Sequence, residues 1–408
     1  MSGLPYGMAP YPLALEPQLH RRVWGGEWLK EFHGGGADLP EHGPEGEPVG
    51  ESWLADGASV VRNGAYAGRS VGELAAQLGA ELVGTVPHER YGPRMPLLAK
   101  LLDAATALSV QVHPDDTYAL SEERASGHLG KSEAWYVLSA EPGASVLWGF
   151  RQRTTGDVVR GAVAGGTLPE LMQQVQVRPG SVVMNPAGTV HAVGAGIRLY
   201  EVQQASDLTY RLYDHGRVGA DGQPRQLHLD KSLAVADLSG VPFEQRPARP
   251  LEGGWERLVQ RPEFVLDRAQ LSAGSVAAGS VTSASLQLIT LICGEAVLEP
   301  SEGAAHRWDA LHLSPGSTVL LPAGLARVTA QGGARAGVSG PKAAQRLTQG
   351  DEESGGGYVL RGDGEILRSS VPPPTHHVRE ASAAEAARGP HSDQADLRER
   401  DQARGGRR

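Results

Sequence analysis

The chain has 408 residues, 40% hydrophobic and 21% charged, with a formal net charge of −9. That length can bury two cores of ordinary size, while the acidic balance, with no basic block interleaved with aromatics in the body of the chain, argues against a nucleic-acid partner. A single cysteine rules out an intramolecular disulfide framework. No basic-then-apolar leader and no apolar run near the roughly 18 residues that span a bilayer is visible, so a cytoplasmic protein without a membrane partner is expected.

Gly 54 and Pro 28 are both high and long periodic helical segments are few, the pattern of many short strands joined by turns. A mainly β fold is expected. Residues 1–20 read as an extended lead-in, RRVWGGEWLKEF as a strand ending in a turn at Gly25 and Gly26, residues 34–50 as a loop, and ESWLADG as a further strand. Leu74, Leu78 and Leu82 share one face of a helix over 71–84. The first half of PLLAKLLDAATA (96–107) is expected to be a strand. In LSVQVHPDD (108–116), apolar Leu108, Val110 and Val112 alternate with Ser109, Gln111 and His113, which turns a hydroxyl, an amide and an imidazole to one side before Pro114 ends the strand.

Asp115 and Asp116 suit the start of a helical insertion over 115–129. GKSEAWYVLSA (130–140) returns to strand, with Glu133, Trp135 and Val137 on one face, and another strand runs from Val146 to Phe150. A short helix and a strand are expected in 166–177, several short strands in 179–217 and a helix in 227–238, followed by the Pro-rich linker GVPFEQRPARP. Cys293, beside Leu291 and Ile292, is expected to be a buried, inert thiol.

The chain also repeats itself. PGSVVMNPAGTVH (179–191) aligns without gaps on PGSTVLLPAGLAR (315–327), both following G-x5-P-x-G-x2 and ending on His191 in the first copy and Arg327 in the second. This pattern resembles the second motif of the cupin superfamily, in which a turn and strand bring one histidine into a small β-barrel. The resemblance implies a bicupin: a catalytic domain over 12–240, a second barrel over 250–345, and a low-complexity, disordered tail over 346–408. The second barrel would lack metal ligands, because a guanidinium stays protonated and cannot bind a cation.

Gln111, His113, Glu133 and His191 together supply imidazole, carboxylate and amide donors from three strands, a set suited to zinc with an open position for substrate. The strings LLAKLLDAATALSVQVHPDD, GKSEAWYVL, NPAGTVHAVGAGI and EVQQASDLTYRLYDHGR resemble, in order, the type I mannose-6-phosphate isomerases in their short bacterial form. The likeness covers roughly residues 20–240. It implies one zinc ion per chain on Gln111, His113, Glu133 and His191, with Arg211 as the active-site arginine. It further implies a small sugar phosphate as substrate, interconverted between mannose 6-phosphate and fructose 6-phosphate through an enediol(ate). No obligate protein partner is implied.

Proton transfer between C2 and C1 needs a base at carbon and stabilisation of charge on oxygen. Glu201, on one strand face with Ile197, Leu199 and Gln203, is a candidate carboxylate, and Asp214 a weaker one. Lys131 shares the face of Glu133 and is the expected contact to phosphate or sugar oxygens, with Ser109 a second substrate contact. Glu51 and Trp53 depart from the family's pattern and are left outside the site. A non-catalytic bicupin that senses a sugar or sugar phosphate is the alternative.

Overall fold

A computed structural model of the chain describes residues 10–34, 39–218, 222–304, 306–326 and 356–374. Strands dominate, as the composition implied, and form three sheets. A seven-stranded sheet runs in the order Val182–Asn185, Glu133–Ala140, Ile197–Gln204, Leu97–Ala104, Val49–Ala55, Gln18–Gly26 and Glu41–His42. A five-stranded sheet runs Tyr210–Tyr213, Val110–Val112, His191–Val193, Ser145–Phe150 and Met172–Gln176. Every pairing in these two sheets is antiparallel except that of Gln18–Gly26 with Glu41–His42.

Alternation along the seven-stranded sheet makes it the middle layer. Leu97, Ala99, Leu101, Tyr136, Tyr200 and Val202 point to one side, where they pack on Leu266, Leu288, Leu320 and Leu367 of a nine-stranded sheet. Leu102, Trp135, Val137 and Leu199 point to the other side, toward Val146 and Val193 of the five-stranded sheet. Every residue of Leu97–Ala104 is buried, which explains why its sequence reads as an almost unbroken apolar run. The outer face of the five-stranded sheet packs Val110, Val112, Ala192 and Leu212 against Val159 and Ala162 of the helix Gly156–Ala164 and Leu233 of the helix Leu229–Val235. At about 2 kcal/mol per buried aliphatic side chain, each layer is substantially stabilised. The polar residues that remain between the middle and outer sheets therefore stand out.

The helix expected over 71–84 breaks at Gly79 into Val71–Leu78 and Ala80–Val83, with a capping box of Ser70 and Glu73 at its start. Asp115 caps the helix Asp116–Ser121 by accepting from the Tyr118 N–H at 2.8 Å. Helix Gly156–Ala164 was not anticipated, because Gly156, Gly161 and three valines weaken its helical signal.

The internal repeat reappears as matched geometry. Gly180 and Gly316 both have φ of 84°, a left-handed conformation open to glycine at low cost. Their N–H groups donate to Val137 O and Leu291 O, each at 2.9 Å. Ser181 Oγ accepts from the Arg178 N–H and Ser317 Oγ from the Ser314 N–H, each at 3.0 Å. After the strands Val182–Asn185 and Thr318–Leu321, Thr189 and Leu325 each donate a 3.0 Å turn bond to Pro186 O and Pro322 O. Arg327 lies outside the described residues.

Two expectations are corrected. The tail assigned to 346–408 contains the strand Gly356–Ser370, the longest in the protein's described residues, which pairs with Gln287–Pro300 along its length and with Val265–Leu271 and Val276–Val281 on its other edge. Its apolar Tyr358, Leu360, Ile366 and Leu367 are fully buried, but the RGDG between them keeps the averaged composition polar. The remainder of that tail, 346–355 and 375–408, lies outside the described residues. Leu13–Leu15, at the start of the expected first domain, pairs with Thr318–Leu321 in the nine-stranded sheet. Cys293 is exposed, because an irregularity between Leu291 and Cys293 changes the strand's register just after two buried residues. No described helix is long and apolar enough to cross a membrane.

Candidate active site

Register sets the site. In the five-stranded sheet Trp148 lies opposite His191, His191 opposite Gln111, and Gln111 opposite Arg211. In the seven-stranded sheet one row holds Asn185, Glu133 and Gln203, and the next holds Val183, Trp135, Glu201, Lys100 and Trp53. Directly opposed residues share a sheet face. The two sheets face one another across these rows, as the edge-on contact of Trp135 with His191, 5.4 Å between ring centres, shows.

His113, Glu133 and His191 are 2%, 0% and 1% exposed, and their ligand atoms all lie within 4.8 Å of one another. His113 Nδ1 bonds Leu208 O at 2.9 Å and His191 Nδ1 bonds Thr189 O at 2.8 Å. A carbonyl can only accept, so both rings carry a proton on Nδ1 and turn Nε2 inward. There the Nε2 atoms meet Glu133, His113 at 3.3 Å from Oε2 and His191 at 3.0 Å from Oε1. Gln111 Nε2 lies 3.5 Å from His191 Nε2. For neutral imidazoles this sets lone pairs against carboxylate oxygens, an arrangement that a cation resolves.

Burial, with the nearby Lys131 ammonium, pushes His113 down to about 3. Burial alone would raise the Glu133 carboxyl, but Lys131 and the two imidazoles outweigh it and hold it well below the usual carboxylate range. Lys131 Nζ stands 2.8 Å from Glu133 Oε2 and 3.1 Å from His113 Nε2. Beside these charged contacts, Asn185 Oδ1, Gln203 Oε1 and Arg211 Nε in these rows are buried without a hydrogen-bond partner. Unmet polar atoms gathered in one place are what a bound ion and a polar ligand satisfy. The donor set therefore fits a divalent metal.

One row away, Glu201 Oε2 accepts from Trp135 Nε1 at 2.8 Å and Oε1 lies 3.4 Å from Lys100 Nζ. Burial and the charge of Glu133 raise the Glu201 pKa, opposed only in part by Lys100, Lys131 and the Trp135 N–H. Lys100 stands over the Trp53 ring, 5.1 Å from its centre. Trp53 Nε1 in turn donates to Glu51 Oε2 at 2.8 Å, where Arg22 is the second donor at 2.9 Å. Burial opposes ionisation of Glu51, yet Lys100, Arg22 and these bonds bring its pKa to about 2. Two carboxylates in one pocket thus have opposite tendencies: Glu133 is fixed as an anion and Glu201 is pushed toward holding a proton.

Arg211 NH1 donates to Gln226 O at 2.9 Å, and its Nε is among the orphaned atoms. Ser109 is buried one residue before the strand Val110–Val112. Asp214 is bound by Arg217 and Arg225, which outweigh burial and hold its pKa down, so its carboxylate is committed to ion pairs. Lys100 is absent from the sequence expectations, although a cation at the centre of the otherwise apolar LLAKLL is a usable signal. Trp53, which the sequence expectations leave outside the site, ends the Lys100 row, and Glu51, opposite Leu102, joins it only through the Trp53 N–H.

Residues 13–131 match the family model for the phosphomannose isomerase type I catalytic domain. The chain is 41% identical over 272 residues to the mannose-6-phosphate isomerase of Streptococcus mutans, covering 65% of this chain and 80% of that one. Its fold is similar to that of the Bacillus subtilis mannose 6-phosphate isomerase, with TM-score 0.68 and 26% identity, covering 88% of this chain and 99% of the other. It is also similar to a zinc-bound mannose 6-phosphate isomerase, with TM-score 0.61 and 17% identity, covering 89% and 100%.

Proposed function

Because the chain belongs to the type I mannose-6-phosphate isomerase family, we propose that it interconverts mannose 6-phosphate and fructose 6-phosphate with one zinc ion per chain. The observation that carries this reading is the buried His113, Glu133 and His191 cluster, with Gln111 in register beside it and a separate, pKa-raised carboxylate, Glu201, one row away. Zinc is the ion in one structural relative, and two imidazoles with oxygen donors suit it. Held by Gln111, His113, Glu133 and His191, it would polarise the hydroxyl and carbonyl oxygens of the open-chain sugar and offset the negative charge that develops on them.

The chain's own groups supply the rest. Glu201 takes the proton from C2 and returns it to C1, while the hydroxyl proton passes from the C2 oxygen to the C1 oxygen, so that an enediol(ate) lies in between. Its raised pKa makes it a stronger base than an ordinary glutamate, while the Trp135 N–H and Lys100 keep its lone pairs aimed. Arg211, with an unsatisfied Nε beside Gln111, is a fixed cation for the enediolate oxygens. Lys131 and Ser109 hold sugar or phosphate oxygens. The matched turns of the two repeat copies support descent from a duplicated barrel, and among the described residues the second copy offers no cluster like that of His113, Glu133 and His191.

Arg211→Ala tests the reading. It is expected to lower turnover of mannose 6-phosphate by about 10²–10³-fold while bound zinc stays at one per chain. Undiminished turnover contradicts the role of Arg211. Zinc and sugar-phosphate binding by the wild type without solvent exchange of the C2 proton would identify a sensor in place of an enzyme.

A further inference from the structure

The loop Gly130–Ser132 delivers Lys131 and leads into the strand that begins at Glu133, and its three backbone donors are each taken up by a different acceptor. The Gly130 N–H bonds Asp116 Oδ1 at 3.0 Å, the Lys131 N–H bonds Pro114 O at 2.9 Å, and the Ser132 N–H bonds Gln204 Oε1 at 3.0 Å. Gln204 is buried, and its Nε2 donates to the same Asp116 Oδ1 at 2.8 Å. One amide therefore joins the loop to the first turn of the helix Asp116–Ser121. Its orientation follows from chemistry, since the Ser132 N–H needs an acceptor and the Asp116 carboxylate a donor.

The seat has no slack. A Cβ on Gly130 would lie 2.4 Å from backbone atoms of Asp115 and Asp116. Ser132 Oγ accepts from the Ala187 N–H at 3.2 Å, tying the loop also to the turn that precedes His191. Arg90 donates to the other oxygen of Asp116 at 3.0 Å, leaving Oδ1 to the loop and Gln204.

We propose that Asp116 and Gln204 form a positioning clamp that sets Lys131 Nζ between Glu133 and His113, and that turnover depends on the hydrogen bond between them. Neither residue is among those assigned to metal or substrate. Lys131 reaches the pocket on a flexible four-carbon stem, so its aim depends on a fixed loop backbone, and a displacement of about 1 Å can cost on the order of 100-fold in rate. The effect on turnover rests on the isomerase reading; the effect on the loop does not.

The test exchanges the polarity of the bond. Gln204→Glu keeps the shape and the acceptor for Ser132 but sets an acceptor against Asp116. The double variant Gln204→Glu with Asp116→Asn restores the side-chain bond in the opposite sense at unchanged net charge, but it puts an amide donor where Oδ1 stood, so the Gly130 N–H loses its acceptor and the Lys131 and Ser132 amides report the rescue. Gln204→Glu is expected to lower kcat/KM for mannose 6-phosphate by roughly 10–100-fold with zinc content unchanged. It is also expected to speed hydrogen exchange of the Gly130–Ser132 amides about tenfold. The double variant should recover turnover and the exchange of the Lys131 and Ser132 amides to within about threefold of wild type.

Wild-type exchange and turnover in Gln204→Glu, or a double variant no better than the single, overturns the clamp. Should Gln204→Glu not fold, Asp116→Ala at the half-buried start of the helix decides: exchange as slow as wild type refutes the proposal. A wild type that fails to turn over mannose 6-phosphate would remove the isomerase reading, and amide exchange would still decide the clamp.

Discussion

Glu133→Gln isolates the electrostatics of the metal-free site. The amide has the same shape and can still accept from Asn185, 3.4 Å away, but it leaves the Lys131 ammonium, 4% exposed, without its countercharge at 2.8 Å. Removing one partner of a buried pair costs about 3–5 kcal/mol. A separate ceiling comes from the lysine's ability to give up its proton: at pH 7 that costs at most about 1.36 × (10.4 − 7), roughly 4.6 kcal/mol. The two agree, and at about 2–4 °C per kcal/mol the variant should melt roughly 10 °C lower at pH 7.

The pH dependence has a definite sign. In the wild type, burial lowers the Lys131 pKa, but Glu133, Glu201 and Asp207 raise it further, for a net increase. Its stabilisation is therefore full below the ordinary lysine value of about 10.4 and is lost only as pH rises through the folded value. In the variant the folded pKa falls below the unfolded one, so the deficit shrinks by about 1.4 kcal/mol per unit as pH rises toward 10.4. Thermal melts of both proteins in chelator, at pH 7 and pH 9, read this directly. A deficit under about 2 °C at pH 7, or one equal at both pH values, would refute the pairing.

Two further perturbations follow. Lys100 lowers the raised pKa of Glu201, so Lys100→Met should move the acidic limb of kcat/KM against pH to higher pH by up to about one unit, and a stationary limb would remove Glu201 as the base. Truncation after residue 355 deletes Gly356–Ser370 from between Gln287–Pro300 and Val265–Leu271 and exposes the face that packs Leu367 on Leu266 and Leu288. The truncated chain is expected to aggregate on expression, and a soluble product with the wild-type melting temperature would contradict the role of that strand.

What could be seen in the sequence depended on local periodicity. Gln111 and His113 showed themselves by alternation, and His191 by a turn motif whose glycine spacing is dictated by backbone conformation. Glu133 followed from the face it shares with Trp135. Lys100 did not show itself, because a strand buried on both faces has no alternation to break. Gln204 and Asp116 act on backbone N–H groups 72 and 14 residues away, and nothing in either residue's neighbourhood marks such a partner. The pairing of Leu13–Leu15 with Thr318–Leu321 is likewise set by tertiary packing, since a three-residue apolar strand fits either sheet. In Gly356–Ser370 the glycine and charge around Asp363 outweighed, in any composition average, the four apolar residues that decide where the strand goes.

Isomerisation is expected to need a metal held by Gln111, His113, Glu133 and His191. Conversion of mannose 6-phosphate to fructose 6-phosphate, followed together with bound-metal content before chelation, after it and after zinc is returned, decides this. About one zinc per chain is expected, with loss of activity in step with loss of metal and recovery on adding zinc. Full turnover by metal-free protein, or activity that returns only with ferrous iron and oxygen, would contradict it.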